Sequence, residues 1–475
     1  MQHNKTTEDL VVIGAGPGGY PAAFHAADIG MSVTLIDTEP NPGGVCLYRG
    51  CIPTKTLLHV SEVIREAMNA KKTGVTFQPP DIDIDMIRKW KDGIVEKLTG
   101  GLGRLTKQRN IRMINGRAKF IDSNSVEIIK NDGTVENVVF KNAIIATGSH
   151  PAPFPDLFFE TPRIMDSSEA LELKDIPEKL LIIGGGYIGL EIGTIYSTLG
   201  SEVTIVEMMP DILPGADSDL IRIYSQSARK IFSAILTNTT VEKIDNTNEE
   251  VSVKMKLNDG KIHEAKFDKV LITIGRKPNS DNLGLENTAV VTDKNGFIKV
   301  NDKLQTDDPK IYAIGDVVGG AMLAHKATHE GRTAVEVISG KDVEFKPKAI
   351  PAVLFTDPEI SWCGLTETEA KLKNINIGVG RFPWAASGRS VSLGRSDGMT
   401  KVIVDPETEK ILGLGIVGPN AGELIAEGAL AIEAGLRVSD LKKTIHPHPT
   451  LSETLMEAAE VFSGECVHIY KPQKK

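Results

Sequence analysis

Two of the four cysteines in this 475-residue chain stand five positions apart. They are Cys46 and Cys51, in Gly43-Gly44-Val45-Cys46-Leu47-Tyr48-Arg49-Gly50-Cys51-Ile52-Pro53-Thr54-Lys55, at the start of an apolar helical pattern. Thiols so placed read as a redox-active disulfide. In an ideal helix the Cα atoms of residues i and i+5 lie roughly 8–9 Å apart, beyond normal disulfide reach, so pairing demands a distorted first turn. Gly43, Gly44 and Gly50 permit the distortion, and Pro53 suits a position just inside a helix start. Unpaired amides at a helix N-terminus stabilise a thiolate, and Lys55 and Arg49 add positive charge. Taken alone, the segment also fits two buried cysteines that are neighbours without chemistry.

The elements around this pair form a pattern that occurs twice. Leu10–Ile13 is a strand-sized apolar run leading into Gly14-Ala15-Gly16-Pro17-Gly18-Gly19, then a helical stretch, then Ser32–Ile36 ending at Asp37. Such glycines let a backbone turn tightly and approach a pyrophosphate at a helix N-terminus, and the acid can bond a ribose hydroxyl. Leu180–Ile183 enters Gly184-Gly185-Gly186-Tyr187-Ile188-Gly189 in the same way, and its second strand ends at Glu207. A separation of 23 residues joins Gly14 to Asp37 and Gly184 to Glu207. Each copy also has an Asn-Asp-Gly turn, at Asn131-Asp132-Gly133 and Asn258-Asp259-Gly260, lying 15 residues before a closing glycine, Gly148 or Gly275. Two related dinucleotide-binding domains imply two dinucleotides.

Between the copies' landmarks, Pro53–Met68 and Asp85–Arg109 read as helices, the second capped by Asp85. Arg117–Phe120, Ser125–Ile129 and Val135–Phe140 read as a meander followed by a separate buried strand, Ala143–Ala146. Ile311–Ile314, ahead of Gly315-Asp316, belongs with the first copy, completed after the second was inserted. From about Lys346 strands and helices alternate without a phosphate loop, as in a separate α+β domain suited to a subunit interface. The expected fold is α/β: two Rossmann-like dinucleotide-binding domains, one inserted in the other, plus a C-terminal α+β dimerisation domain. Its expected boundaries are 1–150, 151–280, 281–345 and 346–475.

A net charge of −9 leaves no basic surplus for nucleic acid, and no apolar run reaches the length of a membrane span. Met1–Glu8 is polar, without a signal core, so the expected location is cytoplasmic. Four cysteines in a chain this long make no secreted disulfide framework.

A disulfide beside two dinucleotide sites describes a relay from dithiol through flavin to nicotinamide. The cysteine segment, both fingerprints, Ile314-Gly315-Asp316 and His446-Pro447-His448-Pro449-Thr450-Leu451-Ser452-Glu453 resemble the flavin-dependent pyridine nucleotide-disulfide oxidoreductases over nearly the whole chain. Leu323-Ala324-His325-Lys326, Trp384–Arg389 and Leu213-Pro214-Gly215-Ala216-Asp217 resemble most the bacterial branch that oxidises dihydrolipoyl groups on carrier proteins.

That resemblance implies FAD and NAD as cofactors. It implies Cys46 as interchange thiol, Cys51 as the thiol beside the flavin, His448 as base and Glu453 as its orienting carboxylate, the last two supplied across a homodimer. Lys55 and Glu191 match an ion pair where hydride passes. Gly14, Gly16, Gly19, Asp37, Lys55, Ala118, Gly148, Asp316 and Ala324 match flavin-side positions. Gly184, Gly186, Gly189, Glu207 and Gly275 match nicotinamide-side ones. The implied partners are the lipoyl domain and core acyltransferase of a 2-oxo acid dehydrogenase complex, or a glycine-cleavage carrier.

Quieter readings stand beside these. His446 and His448 could ligate metal but have no cysteine or acid at ligand spacing; Thr450 and Glu453 fit a helix capping box, so one carboxylate can serve both roles. Glu191 alone would pass as a solvated helix residue. Cys363 and Cys466 match nothing catalytic, and Met322 fits core packing as well as a flavin contact. Glu207, followed by Met208-Met209-Pro210 with no arginine, favours NAD over NADP. Tyr48-Arg49 and Tyr187 depart from the family pattern. Arg49 is expected to shift the thiolate balance or the flavin potential, and Tyr187 resembles a tyrosine lid over the nicotinamide pocket. The rivals are an NADPH-dependent reductase of small disulfides such as glutathione, a mercuric reductase, which the lack of an adjacent cysteine pair near Cys466 disfavours, and a scaffold that binds dinucleotides without turnover.

Overall fold

The computed structural model describes residues 7–154, 161–246 and 250–470. Of the polar start, Met1–Thr6 lie outside the described residues.

The first parallel sheet runs in the order Arg112–Asp122, Val33–Asp37, Glu8–Ile13, Val135–Ile145, Ile311–Ala313. Its strands are apolar on both faces because each face has its own core. Val11, Ile13 and Ile36 face one cluster while Leu10, Val12 and Leu35 face the other. The expected strands Val135–Phe140 and Ala143–Ala146 are one continuous strand. Its first half pairs antiparallel with Ser125–Lys130 and its second half parallel with Glu8–Ile13. Alternating burial in the first half and full burial in the second made one strand look like two.

A second parallel sheet repeats the plan in the order Ala234–Leu236, Glu202–Val206, Lys179–Ile183, Lys269–Ile272, Ile164–Met165, beside an antiparallel meander of Thr240–Asn246, Val251–Lys256 and Ile262–Phe267. Ile311–Ala313 then returns to the first sheet, so the second unit is an insertion in the first. The last unit is a five-stranded antiparallel sheet, Ala352–Leu354, Glu359–Gly364, Ile411–Gly418, Met399–Val404, Gly378–Pro383, carrying the helices Ala421–Ala434 and Glu453–Ser463.

Lys401, 1% exposed on this sheet, fastens it to the second unit. Its ammonium reaches Asp217 at 2.6 Å, Asp219 at 2.7 Å and Glu367 at 2.9 Å. Asp217 also accepts the amides of Glu367 and Thr368.

The long helix expected from Asp85 spans Ile84–Gln108. Its cap is Asp83, whose carboxylate accepts the Met86 amide at 2.9 Å; Asp85 lies inside the first turn. Among the described residues no helix is long and apolar enough to cross a membrane.

Candidate active site

The distortion required by the cysteine spacing is a break between two helices. Gly44–Arg49 carries Cys46, Cys51–Asn69 begins at Cys51, and Gly50 between them has φ −142° and ψ −112°. A Cβ on Gly50 would stand 2.9 Å from the Val45 carbonyl oxygen, so glycine is required for the break. The segment is seated on the first glycine loop: the Gly43 amide donates to the Ala15 carbonyl at 2.8 Å, and a Cβ on Gly44 would meet Gly16 Cα at 2.5 Å.

Both cysteines are free thiols here, and their protonation is unequal. A hydrogen bond from Cys46 holds Cys51 down to about 7, against burial, and Lys55 assists while Glu191 opposes. That same bond, with burial, pushes Cys46 well above the ordinary thiol range. Of the two, Cys51 is therefore the thiol whose surroundings favour the thiolate.

Arg49 pairs with Glu39, lies 5.9 Å from the Tyr48 ring centroid and, by its charge, opposes the burial that raises the Asp37 carboxyl.

Lys55, one turn into the cysteine helix, binds Glu191 at 2.8 and 3.1 Å. Glu191 is 5% exposed, on the helix Tyr187–Thr198 that follows the second glycine loop, so it is no solvated surface residue. Its Oε1 also accepts the Phe355 amide at 3.0 Å, and the Phe355 ring lies 4.6 Å from the Lys55 ammonium. One ion pair thus joins all three units. Phe355 escaped the sequence reading because nothing in its neighbourhood repeats.

The two fingerprints share a second geometric feature. Asp37 accepts the Ala15 amide at 2.6 Å and Glu207 the Gly185 amide at 2.7 Å, each from the residue after the first glycine. Burial raises the Asp37 carboxyl. Gly14 and Gly184 have φ of 99° and 110°, and Cβ atoms on Gly19 and Gly189 would fall 1.8 and 2.3 Å from the carbonyls of Gly14 and Gly184. Gly16 and Gly186 complete the loops, with nothing closer than Gly44 Cα to a Cβ on the former and open space at the latter. Side chains are thus excluded where a pyrophosphate would approach.

Gly14, Asp37, Gly148 and Asp316 all lie at the carboxyl ends of the first sheet's strands, the edge where such sheets take ligands. Asp316 accepts the Ser149 hydroxyl at 2.5 Å, and Ser149 in turn accepts Arg276 Nε at 2.6 Å. Ser149 and Arg276 were missed by sequence reading, although each is the residue after a closing glycine. Ala324 opens the helix Ala324–Ile338, in which the buried Lys326 and Glu330 pair at 2.5 Å and Glu330 accepts the Gly315 amide at 2.7 Å. Ala118 is buried with Ile13, Ile36 and Ile114 in the core behind Asp37. Gly275 has φ 130° and leads into the strand Arg276–Pro278, which pairs with Ser149–Pro151. Burial, with Asp316 nearby, raises the Tyr187 hydroxyl; its side chain stands 40% exposed at the start of the second loop's helix.

His448 Nδ1 meets Glu453 Oε1 at 2.8 Å, and the other oxygen of Glu453 accepts the Thr450 amide at 2.7 Å. One carboxylate does both jobs, but the capping box is only half formed: the Thr450 hydroxyl donates to the Pro447 carbonyl and the cap position is Ser452. Burial pushes the Glu453 carboxyl up, yet the Thr450 amide and His448 outweigh it and hold it below the usual range. The His448 side chain is 77% exposed in the loop before the helix Glu453–Ser463, which packs on the strands of its own unit. His446 Nε2 binds Glu427 at 2.8 Å, an acid the local spacing did not reveal.

Two dinucleotide folds meeting at a thiol pair define an oxidoreductase that couples sulfur chemistry to nucleotide chemistry. The sequence pattern of the pyridine nucleotide-disulphide oxidoreductases matches residues 8–331, and that of their dimerisation domain matches residues 350–459. The chain belongs to this family. It is 47% identical to the dihydrolipoyl dehydrogenase of Vibrio parahaemolyticus over 98% of this chain and 97% of that one, and 49% identical to that of Buchnera aphidicola from Acyrthosiphon pisum, over 97% of each. Among solved structures, LpdA of Mycobacterium tuberculosis superposes with a TM-score of 0.88 at 26% identity, covering 95% of this chain and 99% of that one. The HOCl-induced flavoprotein disulfide reductase RclA of Escherichia coli does so with 0.83 at 29%, covering 96% and 99%.

Proposed function

We propose that this chain is a dihydrolipoyl dehydrogenase: it oxidises dihydrolipoyl groups on a carrier protein and passes two electrons through the Cys46–Cys51 pair and FAD to NAD. The observation that carries the reading is the Lys55–Glu191 pair, which sets the Cys51 thiolate on one side and the helix of the second glycine loop on the other. FAD supplies an acceptor for two electrons from a dithiol and a donor of hydride to nicotinamide.

The chain's own residues do the sulfur chemistry. In the oxidised enzyme Cys46 and Cys51 form a disulfide. A substrate thiolate attacks Cys46, forming a mixed disulfide and releasing Cys51 as a thiolate, the form its surroundings favour. The second substrate thiolate then displaces Cys46, closing the lipoyl disulfide and leaving two electrons on the cysteine pair. His448, held by Glu453, takes the substrate thiol proton. Because its side chain is exposed on its own subunit, His448 serves the cysteines of the partner in a homodimer, joined through residues 346–475. NAD leaves as NADH.

Glu207, 8% exposed with both oxygens on the amides of Gly185 and Met209, presents a fixed negative charge to the second dinucleotide, so NAD is preferred to NADP. The unit boundaries are 1–150, 151–280, 281–345 and 346–475, the location is the cytoplasm, and the carrier is the lipoyl domain of a 2-oxo acid dehydrogenase complex bound to its core acyltransferase, or a glycine-cleavage carrier.

Steady-state turnover of the purified flavoprotein tests the assignment, with dihydrolipoamide and either NAD or NADP, and with NADPH and glutathione disulfide. Fast turnover with dihydrolipoamide and NAD alone is expected. Turnover only with NADPH and glutathione disulfide would overturn both substrate and cofactor.

A further inference from the structure

The last helix, Glu453–Ser463, ends at Gly464, whose φ of 75° turns the chain back so that the Glu465 amide bonds the Glu460 carbonyl at 2.9 Å. The reversal carries Cys466 and His468 onto the face that holds Glu457 and Glu460, one helical turn apart. Glu457 is 5% exposed, and its two oxygens are divided between the tail residues. Oε1 faces His468 Nδ1 at 2.5 Å and Oε2 accepts the Cys466 thiol at 2.9 Å. The donor atoms of Glu457, Glu460 and Cys466 lie within 4.8 Å of one another.

A buried carboxylate is stable only with a cation, good hydrogen bonds or a metal. No lysine or arginine among the described residues pairs with Glu457, and Lys442 at the rim is taken by Glu465. The contrast is the acid cluster Asp217, Asp219 and Glu367, where the Lys401 ammonium fills the centre. Among the described residues the Glu457 carboxylate meets only Cys466 and His468, so the cluster's contacts are its own.

We propose that Glu457, Glu460, Cys466 and His468 bind one zinc-like divalent cation, fastening the C-terminal tail to the last helix. A thiolate, an imidazole and two carboxylates make four donors of the borderline softness that suits tetrahedral zinc. Around such an ion the Glu457 contacts to Cys466 and His468 lengthen to about 3.5 Å, while Glu460 lies within 4.8 Å of Glu457 and Cys466, and His468 joins through Glu457. Cys466 gives its proton to solvent as the metal–sulfur bond forms, and no electrons move. The site is separate from the cysteine pair and from the dinucleotide loops.

Cobalt is the probe, because its ligand-field bands lie at longer wavelength than oxidised flavin. Chelator-treated holoenzyme, with Cys46 and Cys51 kept as a disulfide, is titrated with Co2+ and then with Zn2+. The expected result is one Co2+ per subunit in a tetrahedral spectrum with thiolate charge transfer, displaced by Zn2+ and lost in both Cys466→Ser and His468→Ala. Each variant is checked for unchanged flavin content and unchanged dihydrolipoamide turnover. Absence of the bands in the parent enzyme, or their persistence in both variants, would overturn the site. So would bands that vanish only when Cys46 and Cys51 are replaced.

Discussion

The two dinucleotide-binding copies superimpose in sequence with a constant offset: Gly14, Gly16, Gly19 and Asp37 correspond to Gly184, Gly186, Gly189 and Glu207. Two of the positions at which they part matter most. The first copy has Pro17 and Pro21 where the second has Tyr187 and Glu191. Pro21 costs its copy little, because it lies in the first turn of the helix Gly19–Asp28, where amides have no intrahelical partner. The second copy uses the same two positions for a half-exposed phenol and a buried carboxylate that reaches the other copy's Lys55. The cysteines, in turn, are seated only on the first loop, through Gly43 and Gly44. The glycines and the terminal acids build each site alike, while the positions that differ give the first copy the sulfur and the second the partner of Lys55.

The sharpest way to break this division of labour is to remove the sulfur. Cys51→Ser is expected to lower dihydrolipoamide oxidation by roughly three orders of magnitude or more, as loss of a nucleophilic pair does, with flavin content retained. Residual turnover within tenfold of the parent would refute its role.

His448→Gln is expected next, with dithiol oxidation slowed about 10²–10⁴-fold while NADH oxidation by an artificial acceptor stays near the parent rate. Equal loss in both assays would make His448 structural.

Glu191→Gln and Lys55→Met test the bridge between the copies through opposite shifts of the Cys51 thiol. In the parent the depressed value of about 7 means that thiolate is present above that pH and is lost as pH falls through it. Glu191 raises this thiol and Lys55 lowers it, so Glu191→Gln moves the thiolate titration of the reduced enzyme to lower pH and Lys55→Met moves it to higher pH. Shifts in the same direction would separate the bridge from the sulfur.

The smallest effect expected is at the second copy's acid. Glu207→Gln removes the charge but keeps the shape, and it should lower the ratio of NAD to NADP efficiency by about tenfold, the equivalent of about 1.4 kcal/mol. An unchanged ratio would place cofactor choice elsewhere.

What could be read from the sequence followed from local necessity. The glycine loops are legible because the backbone there excludes a Cβ, and the two Asn-Asp-Gly turns because Gly133 and Gly260 take φ of 83° and 80°. Cys46 and Cys51 are legible by their spacing, although the break at Gly50 depends on the Val45 carbonyl and could only be anticipated as a distortion. Contacts between distant segments left no such mark. Glu191 meets Lys55 across 136 positions and Phe355 across 164, so no periodicity announces its burial. Arg49 looked like a thiol neighbour in sequence because it lies between the cysteines, but its side chain leaves the helix toward Glu39. The long helix's cap was misplaced by two residues because Asp83 and Asp85 are equally good caps, and only the Met86 amide distinguishes them.

The most direct measurement is the redox state of Cys46 and Cys51 across one turnover, read by anaerobic quenching, alkylation and peptide mass spectrometry. A Cys46–Cys51 disulfide in the isolated flavoprotein, opened by one equivalent of dihydrolipoamide and closed again by NAD, is the predicted result. Two thiols that stay unmodified by substrate while NADH is formed would contradict the account.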